Sequence, residues 1–270
     1  YSLATAAKNL PLSKGQEILI LEDQFPSNVY TWRDLASATG ANLRTVGTRG
    51  NETLSDALLS AIGPDTGLVA CGHIRWTDGA LIDLAAVGKR CREVGAALVL
   101  DLTQSCGALA FDVKDVQPDF VAVAAYKWLL SPYATGFLYV APQHRDGKPL
   151  EQNWITREGS SNFARLIDYT DNYGPGAQRF DMGERSNFAL LPAFESAVRT
   201  VLGWGIWSSP DYSRGFALNA FNRAVGGASS PRQPGGDPYG SSRIAAVAKC
   251  RLRREGRRRR PVGGVRRESS

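Results

Sequence analysis

The stretch Asp119–Val140, DFVAVAAYKWLLSPYATGFLYV, decides how this chain is read. Phe120–Ala125 is apolar enough for a buried strand, and Thr135–Val140 reads as a second one. Between them lies a single cation, Lys127, flanked by Tyr126 and Trp128. Taking an ammonium out of water is costly, so a lysine in such company sits at an edge or is there for chemistry.

Working outward, apolar runs alternate with longer amphipathic stretches. Gln16–Leu21 reads as a strand ending in the polar corner EDQFPSN. Trp32–Thr39 reads as a helix stopped by Gly40, and Leu43–Val46 as a short strand. The stretch from Asn51 to Gly63 is helical, with Asn51 or Thr53 as its cap. Gly67–Ile74 follows as a strand, then a helix over Ala80–Val94, where Leu81, Leu84, Val87 and Cys91 recur at helical spacing. Ala96–Asp101 completes the series before Phe120. This alternation predicts an α/β fold, a largely parallel sheet with right-handed crossovers and helices on both faces. Ligands of such sheets gather at the carboxyl ends of the strands, where Glu22–Phe25, His73, Asp101 and Lys127 all fall. Asn187–Leu202 reads as a helix leading toward a smaller, incomplete C-terminal domain.

Composition removes several alternatives. With only two histidines, His73 and His144, a multi-histidine metal centre is not expected. There is no GxSxG, no GxxxxGK[ST] and no GxGxxG after a strand. The four cysteines, Cys71, Cys91, Cys106 and Cys250, form no CxxC, which fits unpaired thiols in a reducing cytoplasm. No apolar run is long enough to span a membrane, and the first residues do not read as a secretory signal. The net charge of +6 is uneven: residues 243–270 carry 11 basic against 2 acidic groups, while residues 1–242 carry 21 against 24.

Asp101 sharpens the reading of Lys127. An aspartate after a strand is ordinarily a turn or cap residue. Here an aspartate and a lysine, 26 positions apart and each ending an apolar strand, can face one pocket. Pyridoxal phosphate chemistry needs such a pair: the lysine carries the cofactor as a Schiff base, and the carboxylate keeps the pyridine nitrogen protonated.

The surrounding residues, VLDLTQSCGALAFDV and the Tyr126–Lys127 pair above all, resemble the pyridoxal-phosphate enzymes of aminotransferase class V, a group that includes cysteine desulfurases, kynureninases and isopenicillin N epimerase. The resemblance runs from about Gln16 to Leu202. It implies that Lys127 binds the cofactor and is the catalytic base, that Asp101 pairs with the pyridine nitrogen, and that Gln104 bonds the phenolic oxygen. Tyr126 would reach the phosphate, against plain aromatic packing around the lysine stem, which is also the reading of Trp128. The corner LEDQFPSNVY is similar to the kynureninase branch, so Phe25 would stack on the ring and Asn28 would support it. In CGHIRWTDGALIDL, Trp76 stands where desulfurases place Asn and Asp78 where kynureninase places Thr, so Asp78 is a cofactor-binding candidate, while His73 reads as structural. Asn153 and Trp154, with Arg179 and Ser186, fall in segments that lie near the cofactor phosphate and the domain junction in such enzymes, or else in a polar surface loop.

The resemblance implies an amino acid substrate, a homodimer, and a transferase or lyase reaction. The expected domains are a cofactor-binding unit over 1–207 and a Gly/Pro/Arg-rich disordered tail over 208–270. The family's phosphate-binding hydroxyl pair would lie upstream of Tyr1, and its small-domain arginine is not found after Trp207. The tail reads as a nucleic-acid-binding arm or as the product of a shifted reading frame; in the second case Cys250 cannot be a sulfur-accepting cysteine. A catalytically impaired fragment, or a non-catalytic protein whose tail binds nucleic acid, is the alternative.

Overall fold

A six-stranded sheet organises the chain, in the order β2-β1-β3-β4-β5-β6. The computed structural model describes residues 1–205, and the expectations for residues 206–270, Cys250 included, lie outside the described residues. The strands are β1 (Glu17–Leu21), β2 (Asn42–Val46), β3 (Thr66–Gly72), β4 (Ala97–Asp101), β5 (Phe120–Ala124) and β6 (Gly136–Val140). The first five pair in parallel, and β6 runs antiparallel to β5. The helices are α1 (Ser2–Asn9), α2 (Ser27–Thr39), α3 (Leu54–Ala61), α4 (Leu84–Val94), the short α5 (Val113–Val116) and α6 (Leu190–Gly203).

Burial explains why the apolar runs became strands. Every residue of β3 is buried, as a central strand covered on both faces requires. Alternate residues divide between two cores. Ile18, Ile20, Leu68, Ala70 and Phe120 face α1 and α2, where Trp32 is fully buried. Leu19, Leu21, Val69, Leu98 and Val121 face α3 and α4, joined by Val201 of α6. The period-2 alternation of side chains produces this split. It is the doubly wound arrangement that the sequence predicts.

Boundaries differ from expectation for local reasons. Helix α2 begins five residues early, right after Pro26, and ends where Gly40 adopts φ 73°. Thr53, rather than Asn51, caps α3, in a reciprocal capping box with Asp56. Helix α4 starts at Leu84 because the Asp83 side chain accepts from the Ala86 amide, while Leu81 is drawn into a bridge with Ile74. Since β1 lies between β2 and β3, the chain reverses its direction of winding there, and the β1/β3 carboxyl ends form the crevice in which such sheets bind ligands.

Candidate active site

Four strand ends contribute to that edge. Asp101 closes β4, in register with Gly72 of β3 and Ala122 of β5. Its Oδ1 accepts from the Thr103 amide at 3.0 Å, and Oδ2 makes no hydrogen bond among the described residues. Thr103 Oγ1 in turn accepts from the Ala124 amide at 3.0 Å, which ties the turn after β4 to the end of β5. Gln104 follows on that turn, half-buried, its amide group unbonded among the described residues.

Lys127 leaves β5 on a tightly folded loop. The Ala125 amide donates to Thr135 O and the Ser131 amide to Ala125 O, while the Ser131 and Thr135 hydroxyls meet at 2.8 Å. Leu130 and Ala134 take the left-handed conformation, φ 57° and 65°, a strain the loop's bonds must hold. Lys127 Nζ lies 5.9 Å from the centre of the Phe25 ring and 5.8 Å from that of Tyr126. Tyr126 stacks on Tyr133 at 4.4 Å. Burial among these rings lowers the proton affinity of the Lys127 amine below the usual lysine value, and the nearby Asp101 carboxylate opposes that shift. Lys127, Asp101 and Phe25 are thus brought together.

The remaining candidates have other partners. Asp78 accepts from Arg75 Nε at 3.0 Å and from the Ala80 amide at 3.0 Å, and the guanidinium beside it lowers its carboxyl pKa. With His73 and Arg75 it borders a separate cavity of about 710 Å³ against α3 and α4. His73 is half-buried there with its Nδ1 buried and unpartnered among the described residues, and burial pushes its pKa down to about 4, which favours the neutral ring. Trp154 meets Phe163 edge-on at 5.6 Å and is not joined to the Lys127 group. Asn153 Oδ1 accepts from the Thr156 amide, Arg179 bonds Gly147 O and Asp146, and Ser186 is exposed. Asn28 is buried on α2, accepting from Trp32 Nε1 at 2.7 Å.

Further residues complete the site. Trp76 donates from Nε1 to Asp23 O at 2.6 Å and meets Phe25 at 5.7 Å with the rings perpendicular. Thr103, Tyr133 and Gly107 brace the two turns. Thr103 and Tyr133 left no signal in the sequence, whereas Trp76 stood out there and Gly107 stands three residues after Gln104.

A lysine and an aspartate stand at the adjoining ends of β5 and β4, with the Phe25 ring from the end of β1 beside the lysine, on the sheet edge where α/β proteins bind ligands. Residues 1–152 match the aminotransferase class-V family, and the chain belongs to it. It is 31% identical over 186 residues to the isopenicillin N epimerase of Streptomyces clavuligerus, covering 65% of this chain and 45% of that enzyme. It is also 31% identical over 180 residues to the kynureninase of Deinococcus radiodurans, covering 66% of this chain and 41% of that enzyme. The chain spans less than half the length of these relatives. Among solved structures, the cysteine desulfurase CsdA of Escherichia coli superposes with a TM-score of 0.67 at 20% identity, covering 83% of this chain and 55% of that one. That likeness establishes the fold. Among the described residues no helix is long and apolar enough to cross a membrane, and no cluster of metal ligands occurs.

Proposed function

We propose that this chain is the cofactor-binding part of a pyridoxal-phosphate-dependent enzyme that acts on an amino acid, as a transferase or lyase of the class V type, and works as a homodimer in the cytoplasm. The observation that carries this reading is the half-buried Lys127 amine, its proton affinity lowered by burial, with its Nζ 5.9 Å from the Phe25 ring and the Asp101 carboxylate beside it. Membership of the class V family supports it.

The residues present fit the cofactor. Lys127 would hold it covalently, and the fall in its proton affinity on burial favours the neutral amine that such attachment uses. Asp101, with Oδ2 unbonded among the described residues, would hold a proton on the pyridine nitrogen. Phe25 would cover one face, and Gln104 would donate to the phenolic oxygen. The Tyr126 hydroxyl, which makes no hydrogen bond among the described residues, would reach the phosphate. When bound, pyridoxal phosphate supplies an electron sink for bond breaking at the substrate's α-carbon. Once free, Lys127 Nζ would take and return the proton at that carbon. Phe25, on the corner that resembles the kynureninase branch, would favour kynureninase or epimerase chemistry over a desulfurase's. Asp78 and Trp154 would act on this site indirectly, through the loops that carry them.

The test is an absorbance spectrum of the protein purified with pyridoxal phosphate, before and after borohydride, with peptide mapping of the product. A visible band and a cofactor mass on Lys127 are expected. Absence of the band, or label scattered over surface lysines, would overturn the reading.

A further inference from the structure

Phe25 presents a flat face to Lys127 from an exposed corner whose bonds hold its main chain and not its ring. The ring is 40% exposed; the Phe25 carbonyl accepts from the Asn28 amide at 2.8 Å and its amide donates to Gln24 Oε1 at 3.1 Å, but these bonds fix the main chain and leave the side-chain torsions free. Among the described residues Gln24 bonds the sheet only through a long contact to Ala70 O at 3.5 Å. An aromatic side chain so placed samples several rotamers unless something pins it.

Trp76 supplies the pin from the other side of the β1/β3 crevice. Its Nε1 fixes the corner's backbone through Asp23 O at 2.6 Å, and its ring meets Phe25 at 5.7 Å with an interplanar angle of 89°. Edge-to-face contact at this spacing is attractive beyond the area it buries. The loop that carries Trp76 is itself braced. The Arg75 amide donates to Ala80 O at 2.8 Å, the Gly79 amide to Arg75 O at 2.9 Å, and Ile74 bridges Leu81. The Arg75–Asp78 pair closes the same loop. Trp76 is itself 46% exposed, so burial of its own surface is not what places it there.

We propose that Trp76 is a positioning residue: a strut on the braced 73–82 loop that fixes the Phe25 ring over Lys127 and thereby sets how tightly the site holds its cofactor. The second half rests on the pyridoxal phosphate reading, whereas the strut does not. Asp78 acts in this arrangement as part of the brace.

The strut is read without cofactor by labelling the chain with 4-fluorophenylalanine and assigning the Phe25 line through Phe25→Leu. The line is expected to shift and narrow in Trp76→Leu, and to move much less in Trp76→Phe, which keeps an aromatic edge. With pyridoxal phosphate, Trp76→Leu is expected to weaken binding about tenfold, the size of one edge-to-face pair together with one hydrogen bond. In a Phe25→Leu background the same change is expected to cost nothing further, because the strut then has no ring to hold. A Phe25 line that stays put in Trp76→Leu overturns the inference. So does an independent, multiplying loss in the double variant, which would mean that Trp76 acts on the cofactor by some other route. A wild-type chain that leaves Lys127 unlabelled would overturn the cofactor reading instead, and the fluorine line alone would then decide the strut.

Discussion

Gly107 and Trp128 are in backbone contact: a Cβ on Gly107 would lie 2.6 Å from the Trp128 carbonyl oxygen. The two positions belong to different turns, one following Asp101 and Gln104 and the other carrying Lys127. Their close approach keeps the carboxylate turn and the lysine loop in register, together with the bond from the Ala124 amide to Thr103 Oγ1.

Gly107→Ala is therefore expected to damage both stability and the site. Gly107 has φ 96°, a conformation that a side chain disfavours, and the obstructing atom is backbone and cannot swing aside. A loss of about 2 kcal/mol is expected in urea melts, the usual cost of one strained residue, with weaker pyridoxal phosphate binding in titration. Gly63→Ala is the control, since a Cβ there meets nothing within 4 Å. Equal behaviour of the two variants would refute the coupling of the turns.

Asp101→Asn separates the two tasks assigned to the carboxylate. Its charge opposes the fall in Lys127 proton affinity that burial causes, so its removal should lower that affinity further. The pH profile of Lys127 modification by an amine-directed reagent should then move to lower pH in the cofactor-free protein. On the pyridoxal phosphate reading, turnover in the cofactor-loaded protein should fall roughly 100-fold or more, the scale of losing one positioned electrostatic group. A profile that moves to higher pH would contradict the placement of Asp101 beside Lys127.

The sequence made Lys127, Asp101 and Phe25 legible because each ends or follows an apolar strand, and strand ends in a parallel sheet share one edge. The same logic gave the α/β order with helices on both faces of the sheet. It did not give Trp76 its place, since a bond from an indole to a carbonyl 53 positions away has no local pattern. Nor did it show that Asp78 would turn to Arg75, three positions back in the same loop, for a surface pair of that kind is chosen only once the loop has folded. The start of α4 was misjudged because Ala80 and Leu81 fit helical periodicity, yet the Asp83 cap and the Ile74–Leu81 bridge outweigh it.

His73 gives a prediction in which the sign is fixed by burial. Burial holds its pKa at about 4, below the 6.5 of an exposed imidazole, with the Asp83 charge opposing weakly. Above pH 6.5 the folded and unfolded chains both keep the ring neutral, and it contributes nothing to pH dependence. Between 6.5 and 4 the unfolded chain takes up a proton that the folded chain refuses, so stability falls with pH; below about 4 the loss is complete. A shift of this size corresponds to about 3 kcal/mol. His73→Gln, which cannot titrate, should lose that much less than the wild type between pH 7 and 4 in urea melts, the carboxylates being common to both. Parallel curves would mean that the imidazole accepts a proton in the folded protein, and that the cavity beside Arg75 and Asp78 is wetter than the unpartnered Nδ1 implies.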